Sequence, residues 1–291
     1  MSAGLARTVF GATFQNPVLL ASGTAGFGRE LAGAMDLDRL GGIVTKSVSA
    51  EPRHGNPPPR VAEFRGGMLN SIGLANPGVA EVRDRELPWL AANLRRARVL
   101  QSVVGFTTDE YARVVAALAD AEPLVGFELN LSCPNTHAGG LEFGADPACI
   151  AAIVAGCRAV TRRAIVAKLS PAVADLAGAA AVARDAGADG VTVVNTIPGV
   201  LFDGAAGPPK VGQGRGGVSG PALLPVGLGA VARIRERLPD FPVIGVGGVR
   251  TADDVRQYLR VGASLVAVGT AGLADPHLPG RVVRELEASG G

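Results

Sequence analysis

Three cysteines in 291 residues are too few for a disulfide framework, and no secretory leader precedes them, so a reducing, cytoplasmic setting is the natural reading. No apolar run approaches the roughly 18 residues that a bilayer-crossing helix needs. The three histidines, His54, His137 and His277, are scattered and match no cysteine or carboxylate at ligand spacing, which argues against a metal site. An iron–sulfur cluster held by this chain alone would need about four thiolates and is excluded on the same count. A net charge of +2 calls for neither nucleic acid nor an anionic membrane.

What is present is apolar and turn-rich. Apolar residues make up 47% of the chain, enough to bury a large core. The 41 glycines and 20 prolines are spread along the chain rather than clustered, as many tight strand-to-helix turns require. Eight short apolar runs read as buried strands, near residues 18, 43, 99, 125, 165, 191, 243 and 265. Helical stretches separate them, with capping boxes at Thr107…Glu110 and Thr251…Asp254 and an Asp146-Pro147 helix start. Helical crossovers make strands parallel, so the count predicts an α/β fold, a (β/α)8 TIM barrel formed by residues 1–291 as one domain. Residues 186–196 resemble 261–270, a repeat that suits a barrel of equivalent units. A short hairpin is expected around Phe10-Gly11-Ala12. Two Gly/Pro-rich stretches, 51–78 and 197–220, read as long loop insertions at the carboxyl-terminal rim, the second a candidate lid.

The strand ends collect polar groups: Ser22, Thr45, Lys46, Asn130, Cys133, Lys168, Asn195 and Thr196. In a barrel all would face one rim, where active sites lie. The sharpest stretch runs from Glu128 to Gly140, where a buried strand breaks at Cys133-Pro134 into a loop rich in amides, hydroxyl and imidazole. A loop thiol at a strand end acts as a base or nucleophile once its pKa is lowered, but an inert loop residue fits the residues equally well. His137 reads either as a loop residue or as an imidazole partner of Cys133. Cys149 and Cys157, at i and i+8 on one helix, read as small core residues. Lys46 fits either a snorkelling surface lysine or a ligand-facing cation. Gly247-Gly248 and Gly269-Thr270, after the seventh and eighth strands, fit a phosphate held by backbone N–H groups, or simply tight turns.

Taken together and in order, several motifs are specific. They are Asn16-Pro17…Ala21-Ser22-Gly23-Thr24, Thr45-Lys46-Ser47, Asn70-Ser71-Ile72-Gly73-Leu74-Ala75-Asn76-Pro77-Gly78, Asn130-Leu131-Ser132-Cys133-Pro134-Asn135, Val194-Asn195-Thr196, Gly217-Val218-Ser219-Gly220-Pro221, Gly247-Gly248 and Gly269-Thr270. Over nearly its whole length the chain resembles the class 1 dihydroorotate dehydrogenases, FMN enzymes of pyrimidine synthesis. The segment Thr136–Gly144 is similar to the B-type of that class, which pairs with a separate electron-transfer subunit.

The resemblance implies roles. Cys133 would be the base that removes the C5 proton of dihydroorotate while a hydride passes from C6 to FMN. Asn70, Ser71, Ile72, Gly73, Leu74, Asn130, Asn135, Asn195 and Thr196 would bind the substrate, with Lys46 as the cation near its carboxylate. Ser22, Thr45, Lys46, Ser102, Asn130, Lys168, Val194 and Gly220 would contact FMN, Lys168 at its N1/O2 edge. The glycine turns Gly247-Gly248 and Gly269-Thr270 would hold the phosphate. The resemblance implies further a partner subunit carrying FAD and an iron–sulfur cluster that delivers electrons to NAD, around a homodimer of this chain. At one position the pattern departs: Ser102 stands where the B-type shows Asn, and its reach is shorter. Competing readings are another FMN barrel, either dihydropyrimidine dehydrogenase-like or a dihydrouridine synthase, and a flavin-free phosphate-binding lyase or isomerase using Lys46 or Lys168.

Overall fold

The computed structural model describes residues 4–132 and 143–289. The chain begins with an antiparallel hairpin, β1 (Arg7–Val9) and β2 (Ala12–Phe14), turned at Phe10-Gly11, both with positive φ as a two-residue hairpin turn demands. Next come β3 (Val18–Leu20), β4 (Gly42–Val44), a hairpin of β5 (Val61–Phe64) and β6 (Gly67–Asn70), and then β7 (Arg98–Val103), β8 (Leu124–Asn130), β9 (Ala164–Lys168) and β10 (Gly190–Val193). A second insertion carries β11 (Ile197–Gly199) and β12 (Gly216–Ser219) before β13 (Val243–Val246) and β14 (Leu265–Val268). Strands β3, β4, β7, β8, β9, β10, β13 and β14 pair in that order, all parallel, and β14 returns to β3 to close a barrel. The expected (β/α)8 barrel is thus present.

Alternation along each strand separates two cores. Leu19, Ala21, Val44, Leu100, Ala164, Val166, Ile244, Val246, Leu265 and Ala267 fill the barrel interior, and Phe10 and Phe14 of the hairpin join them. Phe10 reaches Gly190, the first residue of β10, so the hairpin plugs the amino-terminal end of the barrel. The alternate residues, such as Val18, Leu20, Ile165 and Val266, face outward against the helices.

The helices are α1 (Arg29–Ala32), α2 (Val79–Glu81), running through a π turn into α3 (Leu87–Asn93), α4 (Thr108–Leu118), α5 (Pro147–Val160), α6 (Leu176–Asp185), α7 (Leu224–Arg237), α8 (Ala252–Arg260), α9 (Thr270–Ala274) and α10 (Leu278–Ala288). α4 buries Tyr111, Val114, Val115 and Leu118, an i, i+3, i+4, i+7 stripe. Its N-cap Thr107 accepts from the Glu110 amide, Asp146 caps α5, and α8 carries the full Thr251–Asp254 box. α6 starts at Leu176, where Asp175 accepts from the Gly178 amide and fixes the first turn. α1 is short: Gly33 interrupts it, and Asp36 starts a separate 3-10 turn at Leu37–Arg39.

The two insertions differ most from the sequence reading. They are not loops that merely cover the rim: β11, β12, β6 and β5 form one four-stranded antiparallel sheet. Gly217 pairs with Asn70 and Val218 with Leu69, which ties together segments almost 150 residues apart. A Cβ at Gly216 would overlap the Asn70 carbonyl, and one at Gly217 the Thr196 side chain, so glycine is what lets these backbones meet. Among the described residues no helix is long and apolar enough to cross a membrane.

Cys157 is fully buried, and burial pushes its thiol up to about 12. Cys149 packs against the edge of the same core. It lies only half-buried in the first turn of α5, with its Sγ 3.3 Å from the Asp146 carboxylate.

Candidate active site at the carboxyl-terminal rim

Because all eight barrel strands run in parallel, the strand-end residues Ser22, Thr45, Lys46, Asn130, Lys168, Asn195 and Thr196 fall at one end of the barrel. The centre of that end is built by β8, β9 and β10. Asn130 lies opposite Lys168, and Lys168 opposite Thr192. The Asn130 Oδ1 accepts from the Asn195 Nδ2 at 3.2 Å and from the Ser132 amide at 3.4 Å. Its backbone carbonyl accepts from the Tyr111 hydroxyl at 2.7 Å, which anchors the strand end to α4. Asn195 Oδ1 in turn accepts from the Thr196 amide. The two side-chain amides are therefore oriented by the protein before any ligand arrives, as a selective polar site requires.

Beneath them sits a buried charge pair. Glu128, two residues before Asn130 on the same strand face, is 1% exposed. Its Oε1 lies 3.4 Å from Lys168 Nζ and its Oε2 accepts from the Thr192 hydroxyl at 2.9 Å.

On the β3–β4–β7 side the rim is lined with hydroxyls. Ser22 and Ser47 approach to 3.4 Å, and Ser47 and Ser102 to 2.8 Å. Ser102, where the resemblance leads one to expect Asn, thus shares its hydrogen bond with Ser47. Thr45 is buried; its hydroxyl accepts from the Ser102 amide and lies 3.5 Å from the Lys46 carbonyl. Gln101, wholly buried, donates to the carbonyls of Lys46 and Ser102. The half-buried Lys46 ammonium has no hydrogen-bond or ion-pair partner among the described residues. Desolvation first, then the positive charges of Lys168 and Arg60, hold it below the ordinary lysine value.

The first insertion brings Asn70 to the rim, its Nδ2 donating to the Gly217 carbonyl. Ser71 donates its amide to Arg60 O, and its hydroxyl accepts from Asn56. Ile72 O accepts from the Asn56 amide. Gly73 and Leu74 both have positive φ, a sharp turn that Asn76 secures with four hydrogen bonds, to Ser49, Leu74 and Gly78.

Opposite these lie the glycine turns. Gly247 and Gly248 have φ of 124° and 75°, and a Cβ on Gly248 would overlap the Leu224 amide at the start of α7. Tyr258 of α8 donates to the Gly247 carbonyl at 2.8 Å. Thr270 donates to Ser219, linking β14's end to the four-stranded sheet near Gly220, and Val194 donates its amide to the Val246 carbonyl. The amides of Gly247, Gly248, Gly269 and Thr270 have no acceptor among the described residues. Unpaired N–H groups at two neighbouring turns are the kind of donor that holds an anion without a basic side chain.

Cys133, Asn135 and His137 lie outside the described residues. Of the remaining candidates, the structure brings Ser22, Lys46, Ser102, Asn130, Lys168, Asn195 and the glycine turns to one rim, and the sheet of the insertions adds Asn70. Sequence reasoning missed Glu128, Thr192, Ser47 and Asn76 as members of this constellation. Ser47 and Asn76 lie inside motifs quoted above without a role of their own, and Glu128 and Thr192 show only as polar residues within buried strands.

The profile of the dihydroorotate dehydrogenase family matches residues 4–289. The chain is 44% identical over 286 residues to a protein of Solibacter usitatus, covering 98% of this chain and 93% of that one. That relative is provisionally named dihydroorotate dehydrogenase A (fumarate). Proteins of Geobacillus kaustophilus and Desulforudis audaxviator, each named dihydroorotate dehydrogenase B (NAD(+)), catalytic subunit, are 42% and 44% identical. The matches cover 98% and 99% of this chain and 90% and 92% of theirs.

Proposed function

The chain belongs to the dihydroorotate dehydrogenase family, and from that premise we propose that it oxidises dihydroorotate to orotate in pyrimidine synthesis, with FMN as its resident cofactor. The observation that carries this reading is the rim itself. Preoriented amides, two lysines and a set of unpaired backbone N–H groups surround one barrel mouth. The donor set fits FMN: amide N–H groups at the glycine turns for the phosphate, and hydroxyls and Lys168 for the polar edge of the ring.

Dihydroorotate loses a proton from C5 and a hydride from C6, and the C5–C6 double bond of orotate forms. Cys133, as thiolate, takes the proton. Asn130 and Asn195, with Asn70 and Asn135, hydrogen-bond the pyrimidine ring, while Lys46 faces the carboxylate. Ser71, Ile72, Gly73, Leu74 and Thr196 complete the pocket, and a ring that lacks the matching groups leaves these amides unpaired and is rejected. FMN, when bound, supplies the hydride acceptor. Lys168 places a cation at the edge of the cofactor site where negative charge grows on reduction.

For the second half of the cycle we assign NAD as the acceptor, reached through a separate subunit that carries FAD and an iron–sulfur cluster, on a homodimeric core of this chain. The fumarate named for the Solibacter relative is the second reading. Both are decided on purified protein. A yellow chain that bleaches on anaerobic addition of dihydroorotate meets the first expectation. Reoxidation by fumarate alone would then replace the NAD reading, and NAD turnover only with the co-expressed partner would support it. A chain that FMN cannot reconstitute ends the oxidoreductase reading.

A further inference from the structure

The chain has three lysines against twenty-five arginines. Lys210 pairs with Asp203 at the surface. The other two, Lys46 and Lys168, stand together at the barrel mouth, and among the described residues only Lys168 has a carboxylate partner there. That partner, Glu128, is buried in the barrel wall with both oxygens engaged, one by Lys168 and one by Thr192. No step proposed above uses it. A carboxylate is not left in a barrel interior unless something compensates its desolvation. Here a hydroxyl on β10 aims it and an ammonium on β9 balances it. Lysine suits this place better than arginine. A guanidinium fork would commit its parallel N–H groups to the carboxylate, whereas an ammonium bound from one side keeps donors free on the other.

We propose that Glu128 is a positioning residue that acts on the cofactor site through Lys168, holding the ammonium in place and offsetting its charge, with Thr192 aiming the carboxylate. The inference rests on the FMN reading for its consequence, but not for the contact itself. Charged groups facing Lys168 are Glu128 from β8 and Lys46 from the end of β4, with Arg60 of the insertion beyond. Without Glu128 the mouth carries an unbalanced cation, and a reduced, negatively charged flavin is favoured.

The test compares Glu128→Gln, Lys168→Gln, the double variant and Thr192→Val. In FMN-loaded protein, Glu128→Gln is expected to favour the reduced flavin about tenfold, a rise of about 30 mV for a two-electron couple. In the Lys168→Gln background the effect of Glu128→Gln falls below half, and Thr192→Val, which keeps the charge, gives a smaller rise than Glu128→Gln. An unchanged or lowered potential in Glu128→Gln, or a full rise with Lys168 absent, overturns the proposal. The contact is read separately in the cofactor-free chain with 15N-lysine, where only three ammonium signals arise. The Lys168 signal is expected to shift or exchange away in Glu128→Gln while that of Lys210 stays. No change at Lys168 also overturns the proposal. A wild-type chain that takes up no FMN ends the flavin reading instead, and the lysine spectrum still decides whether Glu128 holds Lys168.

Discussion

The two ends of the barrel are made from the same eight strands and obey opposite rules. At the amino-terminal end Phe10 and Phe14 cap an interior of Leu, Val, Ile and Ala, and the Arg98 guanidinium ties the hairpin down through the Thr13 carbonyl. At the carboxyl-terminal end the same inward positions carry Glu128, Lys168 and Thr192, and above them amides that bond one another. One end is arranged for packing density and the other for directed polar contacts. Substitutions at the first should therefore change stability and spare the chemistry; substitutions at the second should do the reverse.

Cys133→Ser is the strongest way to break that contrast. A hydroxyl is a far poorer base near neutral pH, so reduction of FMN by dihydroorotate should slow by about 10²–10⁴-fold. FMN content and the denaturation midpoint should stay at their wild-type values. Stopped-flow absorbance at the flavin band reads the rate, and unchanged kinetics would remove Cys133 from the mechanism.

Phe14→Ala is the mirror experiment. The ring is fully buried at the plugged end, and its loss should cost about 3–5 kcal/mol, visible as a lower urea midpoint. FMN affinity of the folded fraction should not move. If affinity fell along with stability, the two ends would be mechanically coupled and the division drawn here would fail.

Gly248→Ala tests the polar end through its backbone. The residue sits at φ 75°, and a Cβ there would press on the first turn of α7. The strain is worth about 1–3 kcal/mol. Because relief requires the turn to move, FMN affinity should drop about tenfold, equivalent to ~1.4 kcal/mol. Isothermal titration with FMN, set beside a urea curve, separates the two losses. Lost stability with full affinity would show that these amides do not hold the phosphate.

How far these features could be read from the residues depends on the range of the interaction. The barrel was legible because its signals are local: apolar runs of strand length, caps such as Thr107, Asp146 and Thr251, and polar residues just past each run. The four-stranded sheet of the insertions was not, because β6 and β12 are short, glycine-containing strands whose partner lies almost 150 residues away, and such pairing leaves no periodicity in either segment. The Glu128–Lys168–Thr192 cluster fails the same way. Each member is one residue in an otherwise apolar strand, and only the register of three neighbouring strands makes them a group. The serine pair is a further case: the sequence marks Ser102 only as a shorter side chain than the expected Asn, and its hydrogen bond to Ser47 becomes visible only when β7 is set beside the end of β4.

Tyr258→Phe gives the smallest effect and the finest resolution of the contrast. Tyr258 belongs to α8, on the outside of the barrel, and its ring packs over Gly245 and Gly227, where a Cβ would collide with it. The ring is thus part of the packed layer, yet its hydroxyl donates to the Gly247 carbonyl and so belongs to the polar rim. Burial, with Asp254 nearby, raises the phenol's pKa above its usual value, so it stays a protonated donor across the working pH range. Removing the hydroxyl keeps the packing and deletes one hydrogen bond, worth about 0.5–1.5 kcal/mol. If the bond serves packing alone, that loss appears in the urea midpoint and FMN affinity is unchanged. If it also fixes the Gly247-Gly248 turn, as the unpaired amides beside it suggest, FMN affinity falls by a few-fold while the rate of reduction by saturating dihydroorotate is retained. The second result is the one expected, since a carbonyl released at Gly247 lets the adjoining amide plane rotate away from the phosphate cradle.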